Sequence, residues 1–423
     1  MLDAKRLHRW QMIILTITLM SKLCLAADWY GFAAVISFVS ADLGMDKAQA
    51  GFAQGAIAIT YGLGMFFWSP LTTRLSGRLF YTLGMAVTGV AMLIQMAIHD
   101  MFWLVILRLI VGFFEAGVWM GGIKLLFGWF PSDKRGTAIG IVLGAFSLAI
   151  TLDFALGIPI TQIYGWRVFF GGLGVFTLLV TVVGGALALP GPEAIGLTAI
   201  AVEQGAVAPS GRTLPMSILF KSPWLYVGGL AIFGDTFALA ATATWVVPAF
   251  VDVQHMPISY GAIIGTVMGL SQVVFLVIGG RLSDRMSRIT VIKVGAVLGI
   301  LSALLFTLAT FLAMPLIMLI AISALSGVAV FSGGAIFSML GEKFPTELGT
   351  AATGYAEVFG LASTFAAPAL MGLVVRETSS FFLAFVAFSV AEIAILALIV
   401  LLSAGYGKRA KQDKLEPVPV SEA

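Results

Sequence analysis

The sequence predicts an all-α membrane protein with twelve transmembrane helices in two six-helix bundles. Three observations carry that reading. The composition suits lipid: 60% of the 423 residues are hydrophobic and only 11% are charged, against about 25% charge in a soluble globular chain. Apolar runs of the length that crosses a bilayer recur twelve times. The second half of the chain also echoes the first at a nearly constant offset. A mean hydropathy of +1.03 and 48 glycines fit helices that approach one another closely in a membrane.

The spans fall near 11–38, 49–70, 80–98, 101–127, 137–162, 168–190, 223–250, 259–280, 290–313, 315–340, 350–375 and 381–405. The first follows Lys5, Arg6 and Arg9, as the core of a secretory signal would. Lys22 interrupts that core and eleven more spans follow, so the segment is expected to be retained. A polar-tolerant stretch, 191–221, holds Pro192 and Pro215. It separates an N-terminal bundle, 1–190, from a C-terminal bundle with a basic tail, 222–423.

An even number of spans puts both termini on one side. Of the 24 Lys and Arg residues, Lys22, Arg108 and Lys124 lie within spans, and Lys47, Arg167 and Arg376 lie in loops opposite the termini. The other eighteen, Arg212 and Lys414 among them, lie on the side of the termini. Cytoplasmic loops carry the positive excess, so both termini are expected in the cytoplasm, with the chain in the cell (inner) membrane. The basic tail then reads as a topology signal and not as a nucleic-acid site.

A single cysteine, Cys24, excludes an internal disulfide and a cysteine metal cluster. His8, His99 and His255 sit at or outside span ends, which argues against a histidine metal site. No phosphate loop, nucleotide fingerprint or nucleophile–base pairing occurs. The sequence therefore predicts neither an enzyme nor an ATP-driven pump. No cofactor is expected; a proton gradient is the expected driving force, with sodium as the alternative.

Ser69–Arg74 (SPLTTR), after span two, corresponds to Gly280–Arg285 (GRLSDR), after span eight, at an offset of 211. Trp129–Gly140 (WFPSDKRGTAIG), after span four, resembles Lys343–Gly354 (KFPTELGTAATG), after span ten. A parallel repeat of six-helix units is a transporter signature, with substrate held between the halves near the midplane. On these residues the chain resembles the major facilitator superfamily, whose Gly-x-x-x-Asp-Arg loop is matched by GRLSDR. The resemblance implies a cytoplasmic charge latch involving Arg74, Gly280, Asp284 and Arg285. Its first copy is degenerate, with Ser69 in place of Gly and Thr73 in place of Asp. Arg108-x-x-x-Gly112, WFPSDKRGTAIG and Tyr164–Phe170 (YGWRVFF) resemble the anion:cation symporter branch. That likeness implies ion-coupled uptake of organic anions.

Lys22, Asp28, Arg108, Glu115, Lys124, Asp153, Asp235, Glu357 and Glu392 remain at membrane depth. Each would cost roughly 2.5–3.5 kcal/mol at a bilayer centre. Arg108 and Glu115 are almost two turns apart on one face, roughly 10 Å from each other. Gly112, Trp119 and Gly122 extend that face. The plainer reading of the two charges is a buried ion pair that holds span four to span one.

The branch resemblance adds Asp28 in span one and Tyr61 in span two. It also exposes a departure: the branch places an arginine directly after the span-one acid, where this chain has Trp29. Lys22, two turns deeper and within roughly 20° of Trp29 around the helix, is expected to supply the missing charge. Glu115 and Asp28 are thus the expected proton sites. Arg108, Lys22, Trp29, Tyr61, Trp119, Asp235, Asp153 and Glu357 are the expected substrate site. Asp153 and Asp235 have bridging a helix break as an alternative, and Glu357 has pairing with cytoplasmic bases. Lys124 and Glu392 need not face a cavity, and Lys124 can snorkel. Gly136, Gly140 and Gly144 form a row suited to helix packing.

The expected function is alternating-access symport of a small organic anion, a sugar acid or carboxylate, by a monomer that meets only lipid and its small-molecule substrate. A proton antiporter exporting a drug or metabolite is the alternative, and nine Trp and 32 Phe would suit its pocket. A non-transporting sensor is a third reading, with no added cytoplasmic domain in the sequence to support it. In intact cells, an impermeant thiol reagent is expected to label a cysteine placed at Lys47 and to spare one at Lys134. Equal labelling at both positions would overturn the orientation.

Overall fold

The computed structural model describes residues 2–45, 47–198, 214–256 and 260–412. Arg212 in the linker and Lys414 in the basic tail lie outside the described residues. The N-terminal half runs α1 (Leu2–Leu43), α2 (Lys47–Leu71), α3 (Gly77–Gln95), α4 (Met101–Trp129), α5 (Ser132–Tyr164) and α6 (Trp166–Leu187). The C-terminal half runs α7 (Pro223–Val253), α8 (Gly261–Ser283), α9 (Arg288–Ala309), α10 (Leu316–Lys343), α11 (Thr346–Thr378) and α12 (Phe381–Gln412). The described residues contain no strand.

Local chemistry places the ends of these helices. Ser76, Asp100 and Ser287 accept from the amides of Leu79, Trp103 and Thr290 and so cap α3, α4 and α9. Pro131 and Pro345 stand at the N-caps of α5 and α11. Proline cannot continue the preceding helix, so the repeated Phe-Pro makes the same break after α4 and after α10. Gly165 joins α5 to α6 at φ 85°, a conformation that glycine adopts without strain. Beside it, Arg167 donates to Asp42 at 2.6 Å and to the Ile98 carbonyl at 2.7 Å. The Arg167 hydrogen bond, with help from Trp166, holds the Asp42 carboxyl below its ordinary range. This exposed clamp is therefore present above the usual carboxylate pKa and is lost as pH falls through the lowered value.

Among the described residues, ten helices are long and apolar enough to cross a membrane. α2 and α11 face each other across the two halves. A Cβ on Gly62 would meet Leu361 at 3.0 Å, and one on Gly354 would collide with Ser69 Oγ.

The glycine row packs α5 against α8. A Cβ on Gly136 would lie 2.7 Å from the Gly280 carbonyl, and one on Gly140 would lie 2.5 Å from that of Leu276. Any larger residue at these two positions would push the halves apart.

On the side of the termini, one continuous core joins both halves, including Trp119, Phe127 and Trp129 with Phe337, Leu340 and Leu348. On the far side the halves keep separate cores. One is built around Phe32, Leu104 and Phe170, the other around Phe250, Phe306 and Phe385. The molecule is thus sealed toward its termini and parted at the opposite end. Among the described residues, α5 loosens into a π turn at Asp153–Gly157 and α10 tightens into a 3-10 turn at Ser326–Val330.

Candidate functional site

Lys22 lies on α1 and is 6% exposed. Its ammonium sits 4.0 Å over the Trp119 ring of α4 and 5.0 Å from the Phe146 ring of α5. Such cation–π contacts are worth roughly 2 kcal/mol or more when desolvated. Two carboxyl groups act on it, first Glu357 from α11 and then Glu115 from α4. Lys22 therefore stands where the two halves meet. Trp119 also packs edge-on against Phe337 of α10 at 5.5 Å, and its indole N–H faces Glu357 without hydrogen-bond geometry. Tyr61 packs edge-on against Trp29 at 5.4 Å and lies in the field of Glu357 and Glu115. Helices from both halves thus bring Lys22, Trp29, Tyr61, Glu115, Trp119 and Glu357 together. Glu357 faces this group and not the bases on the side of the termini.

Glu115 is fully buried, and neither carboxyl oxygen has a hydrogen-bond partner. The charges around it belong to Asp28, Arg108 and Lys22. Asp28 is equally buried; one oxygen accepts from Gln95 at 3.5 Å and the other has no partner. Asp153 stands in the π turn of α5, buried beside Asp28, with one oxygen unpartnered. The three acids share one region within the N-terminal half.

The contacts of Arg108 differ from the plainer reading of a buried ion pair. Arg108 makes no ion pair with Glu115. Its Nε donates to the Ala53 carbonyl at 2.8 Å and its Nη2 to Gln54 at 3.2 Å, while the guanidinium lies 4.1 Å from the Phe32 ring. Gln54 in turn donates to the Trp29 carbonyl at 3.1 Å. Arg108 therefore ties α4 to α2 and, through Gln54, to α1. Two turns of helix separate Arg108 from Glu115, too far for the side chains to meet while Arg108 reaches toward α2. Asp235 is also set apart. It accepts from Ser332 at 2.8 Å and shares a small cavity inside the C-terminal half with Glu392.

The expected latch is held by a residue that the motif did not point to. Asp284 accepts from the amides of Gly136 and Thr137 at 2.9 and 2.8 Å and from the Thr137 hydroxyl at 2.5 Å. Its basic partner is Arg288, at 2.8 Å, and Arg288 also reaches Glu342 at 2.9 Å and the Ser132 carbonyl. Arg74 and Arg285 are exposed. Gly280 serves the latch by letting α5 approach. The signal for Arg288 was its i,i+4 spacing from Asp284. Lys124 donates to the Thr72 and Leu75 carbonyls beyond the end of α2, which explains a charge there without any ligand. Phe146 and Gln95 were also missed, because an aromatic or an amide within a span carries no mark of its own.

The model of the Major Facilitator Superfamily matches residues 18–368. The "Probable galactarate/D-glucarate transporter" of Escherichia coli K12 is 24% identical over 92% of this chain and 92% of its own length. The "Probable L-galactonate transporter" of the same organism is 26% identical over 40% of each chain. A solved proton:xylose symporter bound to 6-bromo-6-deoxy-D-glucose shares the fold with a TM-score of 0.72 at 14% identity, over 93% of this chain and 95% of that one. With a family match across most of its length, the repeated six-helix halves and the same fold, this chain is a multi-pass membrane transporter that belongs to the Major Facilitator Superfamily.

Proposed function

We propose that the protein is a proton-coupled symporter for a small sugar acid, working by alternating access with both termini in the cytoplasm. The observation that carries this is Lys22, a buried ammonium seated over the Trp119 ring and in the field of Glu357 from one half and Glu115 from the other. The full-length similarity to a transporter of aldaric acids supports the substrate class, since an aldarate carries a carboxylate at each end. With the termini inside, the parted side faces outward, and a substrate would enter there.

Charge balance supplies the coupling. When Glu357 and Glu115 are both ionised, Lys22 already has an excess of negative charge around it. A substrate carboxylate adds another, in a site where water screens little. Taking a proton onto one carboxyl group relieves the excess, so substrate and proton enter together. Glu115 suits that role: with no donor to its oxygens, its neutral form leaves no uncompensated charge. Asp28 is the second proton site in this reading. Trp29, Tyr61 and Trp119 give the sugar chain flat faces, and Arg108 fixes the frame that holds Trp29. Asp284 and Arg288 close the cytoplasmic side.

Two variants test this. Lys22→Gln is expected to weaken anion binding by roughly 1.5–3 kcal/mol, the worth of a hydrogen bond to a charged group, while the protein stays folded. If the variant instead binds normally, loses stability and regains it when Glu357→Gln is added, Lys22 only balances an acid. Glu115→Gln, fixed in a neutral form, is expected to abolish uphill uptake in proteoliposomes and to leave substrate exchange intact. Accumulation against a gradient with normal proton flux would remove Glu115 from the coupling step.

A further inference from the structure

The C-terminal half contains a second group of buried acids that the proposed substrate path does not use. Asp235 of α7 and Glu392 of α12 line a cavity of about 10 Å³ with Ser332 and Ala329 of α10 and Gly295 and Gly299 of α9. That volume is about the space of one water-sized particle. Glu392 is 3% exposed, and its Oε1 has no hydrogen-bond partner. The Ser332 hydroxyl reaches both Asp235 oxygens, at 2.8 and 3.0 Å, and so satisfies them with a single proton. No basic side chain lines the cavity, and the charge that acts on Glu392 is that of Asp235. Two acids therefore face each other at membrane depth with no cation from the protein.

Over Ser326–Val330, α10 tightens into a 3-10 turn, and Ala329 of that turn lines the cavity beside Ser332. A mid-helix stretch of 3-10 winding often marks a functional position. Gly295 and Gly299 leave the opposite wall without side chains. The all-oxygen donor set suits a hard cation. Magnesium keeps several of its waters, for which the cavity has no room, and calcium takes six to eight oxygens, more than the side chains of Asp235, Glu392 and Ser332 offer.

We propose that this cavity binds one dehydrated sodium ion between Asp235, Glu392 and the Ser332 hydroxyl of α10. The bound ion would join α7, α10 and α12 at the level where α10 changes its winding. This inference does not depend on the sugar-acid reading, whose groups lie around Lys22.

Thermal unfolding of the purified full-length protein at constant ionic strength and alkaline pH tests the site. Sodium chloride is expected to raise the midpoint relative to choline chloride and potassium chloride, in a saturable way. Glu392→Gln is expected to abolish the sodium-dependent rise. Gly299→Ala places a methyl group 3.4 Å from Glu392 Oε2 without changing any charge, so it tests the same point if Glu392→Gln does not fold. It is expected to raise the half-saturating sodium concentration by roughly tenfold, read from the same linkage. Three results would overturn the proposal: no sodium effect in the unmodified protein, an unchanged effect in Gly299→Ala, or stabilisation by acid alone, which would make the pair a proton site. Each is separable from the substrate reading, because Lys22→Gln and Glu115→Gln leave this cavity intact.

Discussion

Lys22 carries its charge in the middle of a membrane-spanning helix, and lipid is the one neighbour it must avoid. The N-terminal half is arranged around that constraint. The side chain lies across Trp119 and Phe146, two rings that take the ammonium out of the hydrocarbon without neutralising it. The strongest compensating charge comes from Glu357, on a helix of the other half. An ion held by rings on one side and by a carboxyl group of the opposite half senses whether the halves are together or apart. A fully paired Lys22 would be inert, since a buried pair within one bundle has no reason to respond to substrate or to closure.

The closed end depends on a different kind of contact. Gly136, Gly140 and Gly280 let α5 and α8 meet at backbone distance, and Asp284 then reaches the first turns of α5. It accepts from the Gly136 amide while Arg288 donates to the Ser132 carbonyl, the donor and acceptor of one helical-turn hydrogen bond. Hydrogen bonds to a charged group contribute roughly 1.5–3 kcal/mol each. In the proposed cycle, opening this end must recover comparable energy where the halves come together at the other, and a bound substrate is one source of it. The first-half loop, with Ser69 and Thr73 in place of the family's Gly and Asp, contributes no matching carboxylate. The latch is therefore asymmetric.

Much of this was legible in the sequence because hydropathy and charge act locally. The twelve spans, the repeat and the glycine row follow from single segments read in isolation. What sequence could not give was which buried side chains turn toward one another. Arg108 and Glu115 share a helical face, which left a buried ion pair open as the plainer reading; the guanidinium instead found the carbonyl of Ala53, which no pattern marks. Glu357 was ambiguous by depth alone, and its position opposite Lys22 depends on how α11 packs against the first half. Asp235 and Glu392 come from α7 and α12, and only the packing of the C-terminal half makes them neighbours. Arg288 was within reach of sequence reasoning, four residues from Asp284, but the family motif drew attention to Arg285.

The central claim is that substrate carboxylate and proton are exchanged within one group of charges around Lys22. Calorimetry of an aldarate binding to the purified protein, repeated in buffers of different ionisation enthalpy, measures that exchange directly. The account predicts uptake of about one proton per dianion bound, by the linkage between ligand and proton binding, and loss of that uptake in Glu115→Gln. Binding with no proton uptake at any pH where the substrate is fully ionised would contradict it.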